Sequence, residues 1–202
     1  LNSKITQQLF ISYCNEIFNE NFFLRNVSFR KSDNSYIGNF KSNDEINKRL
    51  KINKNRNYVA NYIKKNNPMM IFNLTEVNPQ CHKLINFVKN SKLIYVIRNH
   101  NDVSYDCYLK KWFNTENLQN PKKTLPYFKY TYKNKNWFIP WWVNKNSYLE
   151  FIEMSDANRC LYYWIRNNEM GLKSLKKIKS KSFKIINYDK FLYESKNTLQ
   201  EI

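Results

Sequence analysis

The sequence predicts an α/β domain built on a parallel sheet covered by helices. Two observations carry that expectation. Short apolar runs suited to buried strands occur at Met69-Met70-Ile71-Phe72, Leu93-Ile94-Tyr95-Val96-Ile97 and Phe183-Lys184-Ile185-Ile186-Asn187, each too short for a helix. Between them lie segments with apolar residues at three and four residue intervals, joined by short turns, and strand-helix alternation of that kind favours parallel pairing.

Taken in order, Leu1 to Phe18 spaces Ile5, Leu9, Phe10, Tyr13, Cys14, Ile17 and Phe18 as one face of a helix. Residues 19 to 57 are polar and mixed, read as loop and weak helix with a short strand at Phe22 to Val27. After the Met69 run, Pro79 can start a helix to about Lys89 with Leu84, Ile85 and Val88 as its stripe. Asn101 or Asp102 can cap the helix that follows Ile97 and reaches about Phe113. Residues 115 to 146, with Pro121, Pro126 and Pro140 and the aromatic group Trp137, Phe138, Trp141 and Trp142, read as a long loop or lid. Ser155 or Asp156 then caps a helix to about Ile178, with Leu161, Trp164, Ile165, Leu172 and Leu175 inward. Phe191 to Ile202 reads as a last helix.

The chain of 202 residues has one domain as its natural count, and at this length it can bury about 70% of the surface its unfolded form exposes. With 34 Lys+Arg against 16 Asp+Glu it carries a net charge of +18, which invites a phosphate-bearing partner. The abundance of Lys, Asn, Ile, Tyr and Phe beside 2 Gly and two Ala points instead to AT-rich codons. Basic runs such as Lys51 to Arg56 and Lys173 to Lys181 then read as solvated faces, and no nucleic acid is expected as partner. No apolar run reaches the ~18 residues a membrane span needs. Cys14, Cys81, Cys107 and Cys160 show no close spacing, so a reducing, cytoplasmic setting is expected. His82 and His100 are the only histidines, which leaves too few ligands for zinc, and no metal is expected.

The chemistry is expected at the turn Ile97-Arg98-Asn99-His100-Asn101-Asp102-Val103. An arginine at the carboxyl end of a parallel strand, followed at once by a helix N-terminus, brings a guanidinium fork, backbone amides and a helix dipole to one anion site. A local carboxylate such as Asp102 could instead occupy the arginine.

Here the sequence resembles the sulfotransferase family. The segment Leu93 to Asn99, through Asp102-Val103, looks like the family's segment that holds the 3′-phosphate of 3′-phosphoadenosine 5′-phosphosulfate. Asn187-Tyr188-Asp189-Lys190-Phe191 is similar to its Tyr-Glu-Asp-Leu segment, with Leu199 and Ile202 where the following helix has apolar residues. Trp164, within Cys160 to Asn168, fits the long helix preceding that strand. The resemblance covers about residues 68 to 202, and it implies a single sulfotransferase-like domain over 1–202 with a P-loop nucleoside-kinase-like three-layer architecture.

By resemblance, Arg98 would grip the donor's 3′-phosphate and Tyr188 would lie near its nucleotide. The family's second phosphate ligand is a serine eight residues beyond the arginine. That position is Asp106 here, with Ser104 the nearby hydroxyl. Glu76 stands where cytosolic members carry a histidine general base, and a carboxylate can accept the acceptor's proton equally well. The implied reaction moves a sulfuryl group to a hydroxyl or amine on a small-molecule or glycan acceptor. The family's Lys- or Arg-Ser-Gly-Thr-Thr loop is missing, since Gly38 and Gly171 are the only glycines and lack such neighbours. The expectation is therefore a fragment, inactive alone, whose second and third strands flank a gap or are bridged by a segment such as Phe22 to Val27. The alternative from another class is a non-catalytic nucleotide or nucleic-acid binding module on a degenerate P-loop-like fold.

Overall fold

The computed structural model describes residues 4–52, 55–67, 69, 71, 78–88, 90–121 and 127–200. The chain divides into two compact units, Leu1–Asn73 and Leu74–Ile202.

The first unit is helical. Helices α1 (Lys4–Phe22), α2 (Asn43–Lys51) and α3 (Arg56–Asn66) surround a small core of Phe22, Phe23 and Val59. Ser42 and Asn55 cap α2 and α3 by accepting from the amides of Glu45 and Tyr58. The short strand expected at Phe22 to Val27 does not form. Phe22 closes α1, and Leu24, with φ of 59°, turns the chain in the left-handed region. Met69 and Ile71 are irregular and exposed, so the described part of the Met69 run takes no strand; Met70 and Phe72 lie outside the described residues.

The second unit is α/β. It runs α4 (Cys81–Phe87), β1 (Leu93–Ile97), α5 (His100–Leu109), α6 (Thr115–Gln119), β2 (Tyr127–Tyr132), β3 (Lys135–Pro140), α7 (Tyr148–Glu153), α8 (Asp156–Leu175), β4 (Phe183–Asn187), α9 (Tyr188–Tyr193) and α10 (Ser195–Gln200). Strands β1 and β4 pair directly and in parallel, from Leu93 opposite Phe183 to Ile97 opposite Asn187. This corrects the expected gap: no strand stands between them. Leu93, Tyr95, Ile97 and Phe183 turn one face of the pair toward Cys81, Leu175 and Ile178, while Ile94 and Val96 stay exposed on the other.

The stretch expected as a lid contains instead an antiparallel hairpin, Tyr127 opposite Pro140 through Tyr132 opposite Lys135. Aromatic and β-branched residues fit its pleat, and Lys133 and Asn134, with φ of 49° and 56°, make the two-residue turn. Trp137, Ile139, Trp142 and Val143 are buried with Phe113, Leu118, Phe151, Ile152 and Cys160 in the larger core. The tryptophan group therefore packs the domain.

Helix α8 joins both cores of this unit. Its buried residues are Arg159, Cys160, Asn167, Gly171, Ser174 and Leu175, whereas Ile165 and Leu172 are exposed. The buried face is thus displaced from the one expected. Gly171 is placed by close approach: a Cβ there would lie 2.0 Å from the phenolic oxygen of Tyr95.

Candidate functional site

An asparagine caps the helix after each of the two parallel strands, Asn99 two residues beyond β1 and Asn187 as the last residue of β4. Asn99 caps α5, its side-chain oxygen accepting from the amide of Asn101 at 2.9 Å. Asn187 caps α9, accepting from the amides of Asp189 and Lys190 at 2.9 and 3.2 Å. Because the strands are parallel, both caps and the residues beside them meet at the same edge of the sheet.

Arg98 and Tyr188 come together there. The guanidinium of Arg98 lies 5.3 Å from the centroid of the Tyr188 ring, within cation–π range. The backbone carbonyl of Arg98 accepts from Trp164 Nε1 at 3.0 Å, which ties the strand end to α8. His100 stands with its ring 5.7 Å from that of Trp164. The carboxylate near Arg98 is Asp106, at 3.6 Å, rather than Asp102.

Beside this edge lies a cleft of about 400 Å³, whose walls include Arg98, Asp106, Lys110, Trp112, Trp164 and Asn168. Its size falls in the range of small-ligand sites, and it combines indole faces with amide and charged groups. Burial, with a smaller contribution from Cys81, pushes the Tyr95 phenol in its wall up to about 12. Cys107, another wall residue, is held protonated near 12, chiefly by burial and then by Cys160 and Asp106. Neither group is a nucleophile at neutral pH.

Ser104 sits on α5 but does not line the cleft; its hydroxyl is buried with no partner among the described residues. Glu76 lies outside the described residues. Among those described, no cluster of His, Cys, Asp and Glu is suited to a metal ion, and no helix is long and apolar enough to cross a membrane. Trp112, Lys110 and Asn168 line the cleft although no sequence motif assigns them there. The spacing of Trp164 and Asn168, four residues apart on one helix, was the signal that they share a face.

No family model, curated protein or solved structure matches this chain.

Proposed function

We propose that the chain is the nucleotide-binding part of a sulfotransferase-type domain that uses 3′-phosphoadenosine 5′-phosphosulfate, acting in a reducing compartment such as the cytoplasm. The observation that carries this reading is the 5.3 Å approach of Arg98 to Tyr188. Two turns separated by about ninety residues of sequence, each assigned to the same donor by resemblance, lie together at the carboxyl edge of a parallel pair.

In this reading Arg98 and the amides opening α5 hold the 3′-phosphate, and Tyr188 flanks the nucleotide. Arg98 offers a planar fork to the phosphate oxygens, and the helix dipole adds about 0.3 to 1 kcal/mol. Glu76 takes the proton from the acceptor hydroxyl or amine as the new bond to sulfur forms. The bond from sulfur to the leaving phosphate oxygen breaks in line, releasing adenosine 3′,5′-bisphosphate. Positioning and charge stabilisation dominate such a transfer, as they do for phosphoryl groups. The acceptor is a small molecule or glycan with a free hydroxyl or amine.

The Arg98–Asp106 pair favours one second reading, a nucleotide-binding module without catalysis, because a carboxylate beside the arginine opposes a phosphate. Calorimetric titration with adenosine 3′,5′-bisphosphate and adenosine 5′-monophosphate tests the site. The bisphosphate should bind at least about tenfold tighter, and Arg98→Lys should erase the difference, since lysine lacks the planar fork. Equal affinities would remove the donor assignment.

A further inference from the structure

The opposite end of the same sheet has a different electrostatic character. Between Met170 and Asn187 the chain carries six lysines, Lys173, Lys176, Lys177, Lys179, Lys181 and Lys184, and no acidic residue. Codon bias accounts for many lysines, but it does not account for their placement. Because β1 and β4 are parallel, the loop before β4 and the loop before β1 meet at the amino edge of the pair. Lys92, just before β1, reaches across to donate to the backbone carbonyl of Lys181 at 2.7 Å. The first five lysines of the run and Lys92 are all exposed.

The charge of this edge is not offset locally. Elsewhere, Arg25, Arg49, Arg56, Arg98, Arg159 and Arg166 each meet a carboxylate. None of Lys92, Lys173, Lys176, Lys177, Lys179 and Lys181 has an ion pair among the described residues. His82, at the start of α4, reports the same field. Its pKa is lowered first by burial and then by Lys177 and Lys83.

We infer that this amino-edge lysine surface binds the phosphate backbone of duplex nucleic acid without reading its sequence. Three features select that partner. A bilayer would need several apolar anchors among the cations, but Leu175 and Ile178 are buried, Phe183 packs against the core, and Leu172, exposed beside Lys173, offers a single aliphatic contact. A single strand would be held by exposed aromatic rings, and residues 173–182 contain none. A duplex presents about one negative charge per 1.7 Å and needs only an array of unpaired cations, so binding gains from counterion release. The surface lies a full strand length, about 16 Å for five residues, from Arg98. It is therefore independent of the donor reading.

The test is fluorescence anisotropy of the full chain with labelled 20-base-pair duplexes of two unrelated sequences, across a salt series. Both duplexes should bind alike, with log affinity falling by about 4 to 5 per decade of salt if about five phosphates are engaged. Changing Lys173, Lys176, Lys177 and Lys179 together to Gln should reduce that slope by about 3 to 4 and weaken binding at least about tenfold near 0.1 M salt. A control replacing Lys48, Lys51, Lys64 and Lys65, which lie in the first unit, should keep the native slope. Equal loss in the control would show that only net charge matters and overturn the inference. So would native-like binding by the Lys173 group variant, or capture by phosphatidylserine vesicles with no binding to duplex. Retained bisphosphate binding in the Lys173 group variant separates this outcome from any failure at Arg98.

Discussion

The carboxylate of Asp106 stands 3.6 Å from the guanidinium of Arg98, and both side chains are close to half exposed, at 47% and 43%. A pair so open to water contributes no more than about 1 kcal/mol to folding. Its larger consequence is for an incoming anion. At about 6 Å and a water-like dielectric, one carboxylate opposes each phosphate charge by about 0.7 kcal/mol. Asp106→Asn should therefore leave stability within about 1 kcal/mol of the parent while tightening adenosine 3′,5′-bisphosphate about tenfold for a dianionic phosphate. Calorimetry decides it: unchanged or weaker binding would mean that the phosphate does not approach Arg98 from the Asp106 side.

A second relationship ties α4 to α8. Ser174 Oγ accepts from the amide of His82 and the thiol of Cys81, both at 3.1 Å, and lies 2.7 Å from His82 Nδ1. With both acceptor positions used, the hydroxyl proton is left to bond a neutral imidazole. Burial, Lys177 and Lys83 lower the His82 pKa from its ordinary 6.5. The stability this contributes is full above pH 6.5, where unfolded histidine is also neutral, and is lost as pH falls through the lower folded value. Urea unfolding between pH 7.5 and 5 should show that loss. His82→Gln should flatten the dependence. A dependence that survives in His82→Gln would place the titration elsewhere. Ser174→Ala leaves two donors unpaired and should cost about 1 to 3 kcal/mol at pH 7.5.

These cases show which parts were legible in the sequence. Strands β1 and β4 announced themselves because a continuous apolar run bounded by turns has few alternatives. Arg98 and Tyr188 were legible because each directly follows or ends such a run. The hairpin was hidden because its turn uses Lys133 and Asn134 in place of glycine, and because three prolines and a tryptophan group suggested a loop. The inward face of α8 was misplaced for a different reason. Arg159, Asn167 and Ser174 are polar residues that bury by hydrogen bonding, so a stripe drawn through Ile165 and Leu172 points the wrong way. Asp106 could be read as a neighbour of Arg98, but its distance could not.

Arg159 is the strongest of those polar cases. It is 3% exposed, donates to the carbonyls of Phe113, Phe151 and Ile152 and to Thr115 Oγ1, and meets Asp156 at 2.8 Å. Burial lowers its pKa and Asp156 opposes the shift, so the group remains charged at any working pH. Arg159→Met fills much of the volume but leaves buried carbonyls without donors. It should cost at least about 3 kcal/mol in urea unfolding, with Arg159→Lys intermediate. Parent-like stability in the methionine variant would show that the carbonyls find other partners.

Gly171 sets two effects of known size against each other. Alanine in the middle of a helix such as α8 is favoured over glycine by about 1 kcal/mol. A methyl group here, however, would sit 2.0 Å from the Tyr95 oxygen and 2.5 Å from the ring carbon bearing it, and Tyr95 is itself buried in the β1 core. The ring cannot yield by a rotation of its far end alone, because the clash reaches the ring. Overpacking of this kind costs about 1 to 3 kcal/mol. The net change for Gly171→Ala should therefore be destabilising, by up to about 2 kcal/mol. Because Tyr95 also walls the cleft beside Arg98, displacing it should shift the Tyr95 phenol down from about 12 as the ring gains contact with water. Ultraviolet titration of tyrosine ionisation follows that change separately from stability. A variant more stable than the parent, with Tyr95 still titrating near 12, would mean that α8 moves away from β1 at little cost and that the contact does not fix the cleft wall.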